Sequence, residues 1–194
     1  MSPERGYHHG DLRAALVQAS FELLAEGGLQ RFSVAAVARR LGVSSAAPYR
    51  HFPDRSHLLG AVSAIAARDL RAEITAAADA AGPAPADRLA EAAGAYVRYV
   101  ARTGAGIHII YAAELHDLAD DARREQTRAL MTALLDLATA TGTASYQEAV
   151  QLVEATIAVA HGYTSLLADG FFARKAHSVD AVADRATRAT RALM

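Results

Sequence analysis

Between Ser33 and Arg55 this 194-residue chain gathers the side chains best suited to chemistry, and the chemistry is contact with a polyanion. Ser44, Ser45, Ala46 and Ala47 are four small residues in a row, and Tyr49, Arg50 and His51 follow after Pro48. None is acidic. Small residues at a helix start let it enter a DNA major groove deeply, with hydroxyls reaching base edges and alanine methyls touching thymine methyls. The phenol, guanidinium and imidazole groups suit phosphate oxygens, which fix position without reading sequence. Ser33 and the amides after it suit a phosphate as well. Arg31 adds positive charge, and Arg55 is placed to grip the backbone from the far side.

Three helices are needed to hold these groups. Val34, Val37, Ala38 and Leu41 lie at i, i+3, i+4 and i+7, one apolar helical face, with Ser33 as the N-cap. Gly42 supplies the turn, where a left-handed backbone is cheap. Ser45 then caps a two-turn helix running to His51, in which Pro48 falls at the third position and removes no intrahelical bond. Phe52-Pro53-Asp54 ends it, and a long helix follows from near Asp54 with Leu58, Val62 and Ile65 in register. Two short helices around a glycine-containing turn form a helix-turn-helix. From Gln30 to His57 five arginines face one acid, a net of +4, which leaves −5 for the rest of a chain whose total is −1. Positive charge is thus concentrated where a polyanion would dock.

The run FSVAAVARRLGVSSAAPYRHFPDRSHLL, preceded by LRAALVQASFELLAEGGL, resembles the DNA-binding domain of the TetR/AcrR family of bacterial transcriptional regulators. Gly27-Gly28, Phe32-Ser33-Val34, Leu41-Gly42-Val43-Ser44, Tyr49-Arg50-His51-Phe52, Pro53-Asp54-Arg55 and Leu58-Leu59 carry the resemblance, with Arg55 where the family usually has Lys. The resemblance implies an all-α chain, with an arm and DNA-binding domain over 1–56 and a helical ligand-binding and dimerisation domain over 57–194. It also implies DNA contact by Ser33, Ser44, Ser45, Ala46, Tyr49, Arg50, His51 and Arg55. Further on, Ala160-His161-Gly162 with Leu166 to Gly170 is similar to the Trp-His-Gly element of one C-terminal subgroup, with Ala160 in place of the Trp.

Composition bounds the remainder. A hydrophobic fraction of 52% rich in alanine, with five prolines, favours helix nearly throughout. There is no cysteine, so disulfide and thiol chemistry are excluded, as suits a reducing cytoplasm. No apolar stretch is long enough to span a bilayer, so the expected location is cytoplasmic. The segment from Ser2 to Gly10, with Arg5, Tyr7, His8 and His9, reads as a frayed arm, and His8-His9 makes a poor metal site. Ala81-Gly82-Pro83-Ala84-Pro85 is the clearest break. Helical stripes then run from Leu89 to Thr103, Ile107 to Leu115, Asp121 to Thr139, Tyr146 to Ala168 and Val182 to Leu193, giving about nine helices and no sheet.

A ligand pocket among those helices would be mainly apolar with a few convergent polar groups. Tyr96, Tyr99, His108, Tyr111, Met131, Leu134 and His161 are the candidates, His108 and Tyr111 foremost because i and i+3 share a face. Each is also an ordinary core residue by type. Broad faces of small residues (Ala149, Ala155, Ala158 and Ala160; Ala183, Ala186 and Ala189) suit a two-fold homodimer contact. The expectation is a dimeric repressor on a near-palindromic double-stranded operator, released by a small-molecule effector, with no cofactor, metal site or catalytic residue. A helical sensor working through a protein partner, or a small all-α enzyme, are the alternatives; no nucleophile elbow, P-loop or dinucleotide fingerprint supports the latter.

Overall fold

Alanine and leucine at helical spacing produce eight α-helices and no strand among the described residues, 12–173 and 177–194, of the computed structural model. The arm from Ser2 to Gly10 lies outside those residues. The helices are α1 (Leu12–Arg31), α2 (Val34–Arg40), α3 (Arg55–Ala80), α4 (Pro85–Thr103), α5 (Ile107–Ile110), α6 (Asp121–Ala140), α7 (Tyr146–Ala168) and α8 (Val179–Arg191). Two 3-10 turns, Pro48–Arg50 and Ala113–Leu115, complete the set. Helix starts are set by short polar side chains. Ser33, Asp54, Asp120, Ser145 and Ser178 each accept a hydrogen bond from the amide three residues on. Each such cap contributes about 1 kcal/mol.

α1, α2 and the start of α3 close around Leu16, Phe32, Val34, Val37, Phe52, Leu58 and Leu59, all buried. α3 leaves that head and continues into the body, where Leu70 and Ile74 join Leu89, Tyr96, Val97, Leu130 and Leu134 in one continuous apolar core. α8 lays Val182, Ala183 and Ala186 on α4. The approach is close: a Cβ on Gly94 would lie 2.5 Å from Thr187 Oγ1. α1 bends at Gly28, whose φ of 63° and ψ of −175° are not helical, as the Gly27-Gly28 pair predicts.

Three expectations need correction. The two-turn helix from Ser45 to His51 is a single 3-10 turn, Pro48–Arg50, whose N-cap position is Ala47 and carries no side-chain cap bond. The reason is local: Pro48 has no N–H to give Ser44, so Ala47 N–H bonds Ser44 O and Arg50 N–H bonds Ala47 O at the tighter i to i+3 spacing. The stripe from Ile107 to Leu115 is broken at Tyr111 into α5 and a 3-10 turn. With the 45–51 segment reduced to 3-10, eight α-helices remain among the described residues, not nine. Of the alanines assigned to a dimer face, Ala149, Ala160, Ala183 and Ala186 are buried inside this chain. The outward side of α7 instead carries Ala158, Gly162 and Leu166, with Phe171, 69% exposed, just beyond its end. No described helix is long and apolar enough to cross a membrane.

Candidate functional site

The head presents its small residues outward. Ser44, Ser45, Ala46, Tyr49 and Arg50 are exposed, Ala47 and His51 half-buried, and Pro48 and Phe52 buried beneath them. Tyr49 stands 53% exposed. The two buried residues anchor the turn: Arg13 of α1 lies over the Phe52 ring at 4.7 Å, and Phe52 N–H and His51 N–H both donate to Pro48 O at 2.9 Å. Gly42, at φ 67°, makes the reversal after α2 that a side-chain-bearing residue would resist. Ser33 Oγ accepts from Ala36 N–H at 3.1 Å, which fixes the start of α2 beside the turn. A rigid, solvated and acid-free ridge results.

The five arginines are not equivalent. Arg40 gives its charge to α1, 2.9 Å from Glu26 and 3.2 Å from Glu22, and this contact holds the Glu26 carboxyl below its ordinary pKa. Arg55 is half-buried. It donates to the carbonyls of Phe32 and Leu29, both at 3.3 Å, lies over the Phe32 ring, and pairs with Glu114 of the 113–115 turn. Burial holds its pKa below the usual arginine value. Arg31, Arg39 and Arg50 are exposed and form no ion pair with the described residues. The usable positive charge is therefore smaller than the composition implies. Asp54, the acid in this stretch, is occupied by the N–H and ring Nδ1 of His57, both at 2.9 Å, and the ring contact lowers its carboxyl pKa.

The seven ligand candidates divide. Tyr96, His108 and His161 come together: Ile107 N–H donates to Tyr96 Oη at 2.9 Å, and that oxygen lies 3.1 Å from His161 Nδ1. The rings of His108 and His161 are 5.7 Å apart. Burial raises Tyr96 to about 12 and also raises Tyr99, which lines a different cleft of about 970 Å³ between α1, α3 and α4. Tyr111 turns away from His108, because α5 ends there, and its hydroxyl donates to Thr127 O at 3.2 Å. Met131 is half-buried against the core, and Leu134 with Tyr96, Leu70 and Ile74 borders a small apolar cavity of about 10 Å³. That volume holds about one water. Among the described residues no three His, Asp or Glu side chains are grouped to bind a metal.

Residues not singled out in the sequence tie α3 to the 107–118 segment and α1 to the end of α4. Ser63 Oγ donates to Ile110 O at 2.8 Å, and a Cβ on Gly60 would lie 2.6 Å from Leu118. Gly104, at φ 66°, presses against α1: a Cβ there would lie 2.6 Å from Ala25 Cα. Only the glycine after Thr103, a helix-end signal, hinted at any of this.

Comparison with known proteins agrees with the architecture. Residues 16–62 match the family model for bacterial regulatory proteins of the tetR family, and residues 89–190 match the tetracyclin repressor-like C-terminal domain. No curated protein matches the chain. A protein of unknown function from Rhodococcus sp. RHA1 superposes with a TM-score of 0.74 at 29% identity, over 98% of this chain and 99% of that one. A tetR-family bacterial regulatory protein from Rhodococcus RHA1 gives 0.62 at 24%, over 93% and 95%. A TetR/AcrR-family transcriptional regulator from Thermobifida fusca gives 0.56 at 20%, over 93% and 97%. With the second of the two matched models spanning more than half of its length, behind a head built as a helix-turn-helix, this chain belongs to the TetR family of bacterial regulatory proteins.

Proposed function

We propose that the protein is a cytoplasmic, non-enzymatic repressor that binds a near-palindromic operator as a homodimer and releases it when a small effector binds the body. The observation that carries this reading is the exposed, acid-free ridge from Ser44 to His51 flanked by Arg31, Arg39 and Arg50, which are exposed and pair with no described acid. Ser33, Ser44, Ser45, Ala46, Ala47, Tyr49 and His51 would meet bases and phosphates along that ridge. Residues 1–56 would form the reading unit and 57–194 the sensing and dimerising unit. Two copies joined through the outward side of α7 and neighbouring α8 would bring two ridges to successive major grooves.

Effector binding would act by population shift, favouring a separation of the two ridges that no longer fits B-form DNA. The segment 107–118 is the natural carrier, since Ser63, Gly60 and Arg55 of α3 all hold it. Arg55 would reach a phosphate only by loosening its hold on Glu114.

Purified protein titrated against its own upstream DNA tests the reading. Phosphate-dominated affinity falls roughly a thousandfold between about 50 and 200 mM salt. A ligand-binding protein that retains no DNA at any salt would instead be a sensor acting through a protein partner.

A further inference from the structure

The ends of α1, α4 and α7 and the starts of α5 and α8 border a crevice of about 520 Å³, separate from the small apolar cavity at Leu134. Leu24, Val100, Leu167 and Val179 give it apolar walls, and His108, His161, Thr164 and Ser165 give it polar ones. Among the described residues, no Lys, Arg, Asp or Glu lines it. A permanent cation or a phosphate dianion entering it would find no fixed counter-charge on those walls.

Its hydrogen-bonding face is specified by a relay. Tyr96 Oη accepts the Ile107 N–H and lies within hydrogen-bond distance of His161 Nδ1, to which the phenol proton can be given. A neutral His161 accepting at Nδ1 carries its proton on Nε2, which is left to donate to a ligand. His108, close to the Gly104 carbonyl, is held below the ordinary histidine pKa by desolvation first and by His161 second, which favours a ring nitrogen able to accept. One donor and one acceptor on neighbouring rings match the two oxygens of a carboxyl group. The carbonyl oxygen takes the His161 proton, and the carboxyl proton is shared with or passed to His108, where the resulting ion pair supplies its own counter-charge.

We propose that this crevice is the effector site and that its ligand is a small carboxylic acid with a hydrocarbon body, its carboxyl on the His108–His161 pair and its chain along Leu24, Val100 and Leu167. The position is consequential. Leu24, Ala25 and Gly28 belong to the head and Gly104 to the body, and Gly104 touches Ala25 beside the crevice. A ligand there wedges the seam between the two. What it then does to DNA rests on the repressor reading; its binding does not.

Octanoate, with octylamine as the cationic counterpart, tests this on the full-length protein without DNA, followed by the ring Cε1–H NMR signals of its eight histidines. Octanoate is expected to shift, saturably, the two signals that disappear in His108→Gln and His161→Gln, while octylamine leaves them in place. His161→Gln should weaken octanoate about tenfold, the loss of one charge-assisted hydrogen bond. Ala101→Trp, at an exposed position on the crevice rim, should block octanoate with both imidazoles intact. Shifts confined to other histidines, no shift, or equal shifts with octylamine would overturn the assignment. Octanoate binding without loss of operator affinity would keep the site and reject the repressor mechanism. Operator release by another metabolite, with octanoate silent, would reject the site and keep that mechanism.

Discussion

The ridge at Ser44–His51 and the crevice at His108 and His161 are both small polar clusters on an apolar scaffold, yet they are assembled differently. The ridge is one continuous stretch of chain whose support, Pro48 and Phe52, lies within it and directly after it. The crevice draws its wall from Leu24 at one extreme to Val179 at the other, across five helices. A ridge of the first kind keeps its shape when the body moves. A crevice of the second kind exists only while helices distant in sequence keep their spacing, so occupying it feeds back on that spacing. A rigid reader coupled to a deformable sensor is what ligand control of DNA binding requires.

The comparison can be broken most forcefully at the ridge. Ala46→Glu puts an acid where phosphates and base edges are to approach, and should cost about 100-fold or more in operator affinity, since like-charge juxtaposition costs several kcal/mol. Its melting temperature should hold, because the site is exposed. Retained binding in a gel shift would show that the reader lies elsewhere. The seam between the regions is tested by Gly104→Ala, which faces both a left-handed backbone and a Cβ 2.6 Å from Ala25 Cα. A loss of about 2 kcal/mol in denaturant unfolding is expected, an unaccommodated φ and a backbone clash together. An unchanged midpoint would mean the head separates freely from the body. Glu114→Gln probes the link at Arg55 and should have the smallest effect. Releasing a partly exposed ion pair is worth about 0.5–1 kcal/mol, so DNA affinity should rise about two- to fivefold as Arg55 becomes available to phosphate. Fluorescence anisotropy giving equal affinities would leave Arg55 a structural residue.

The head was legible because its signals are local. Val34, Val37 and Ala38 are buried and Leu41 packs against the same core, Ser33 caps, and Gly42 turns left-handed, each as its spacing and side chain require. Local signals mislead at Pro48, whose missing N–H is compatible with the third position of an α-helix yet here goes with a tighter 3-10 turn. The pairing of His108 with Tyr111 failed for a related reason: helical spacing was assumed past the point where α5 stops.

By itself, the sequence determined an all-helical chain, the place of the helix-turn-helix, and the concentration of positive charge around it, because periodicity, caps and turns act over a few residues. Only the tertiary structure decided which arginines remain unpaired and that His108 meets His161 rather than Tyr111. It also decided that Gly104 seats against α1 and that four of the seven alanines assigned to a dimer face are internal. Those outcomes depend on which helix faces which, and Arg55 meeting Glu114 across 59 positions leaves no trace in the spacing of either residue's neighbours.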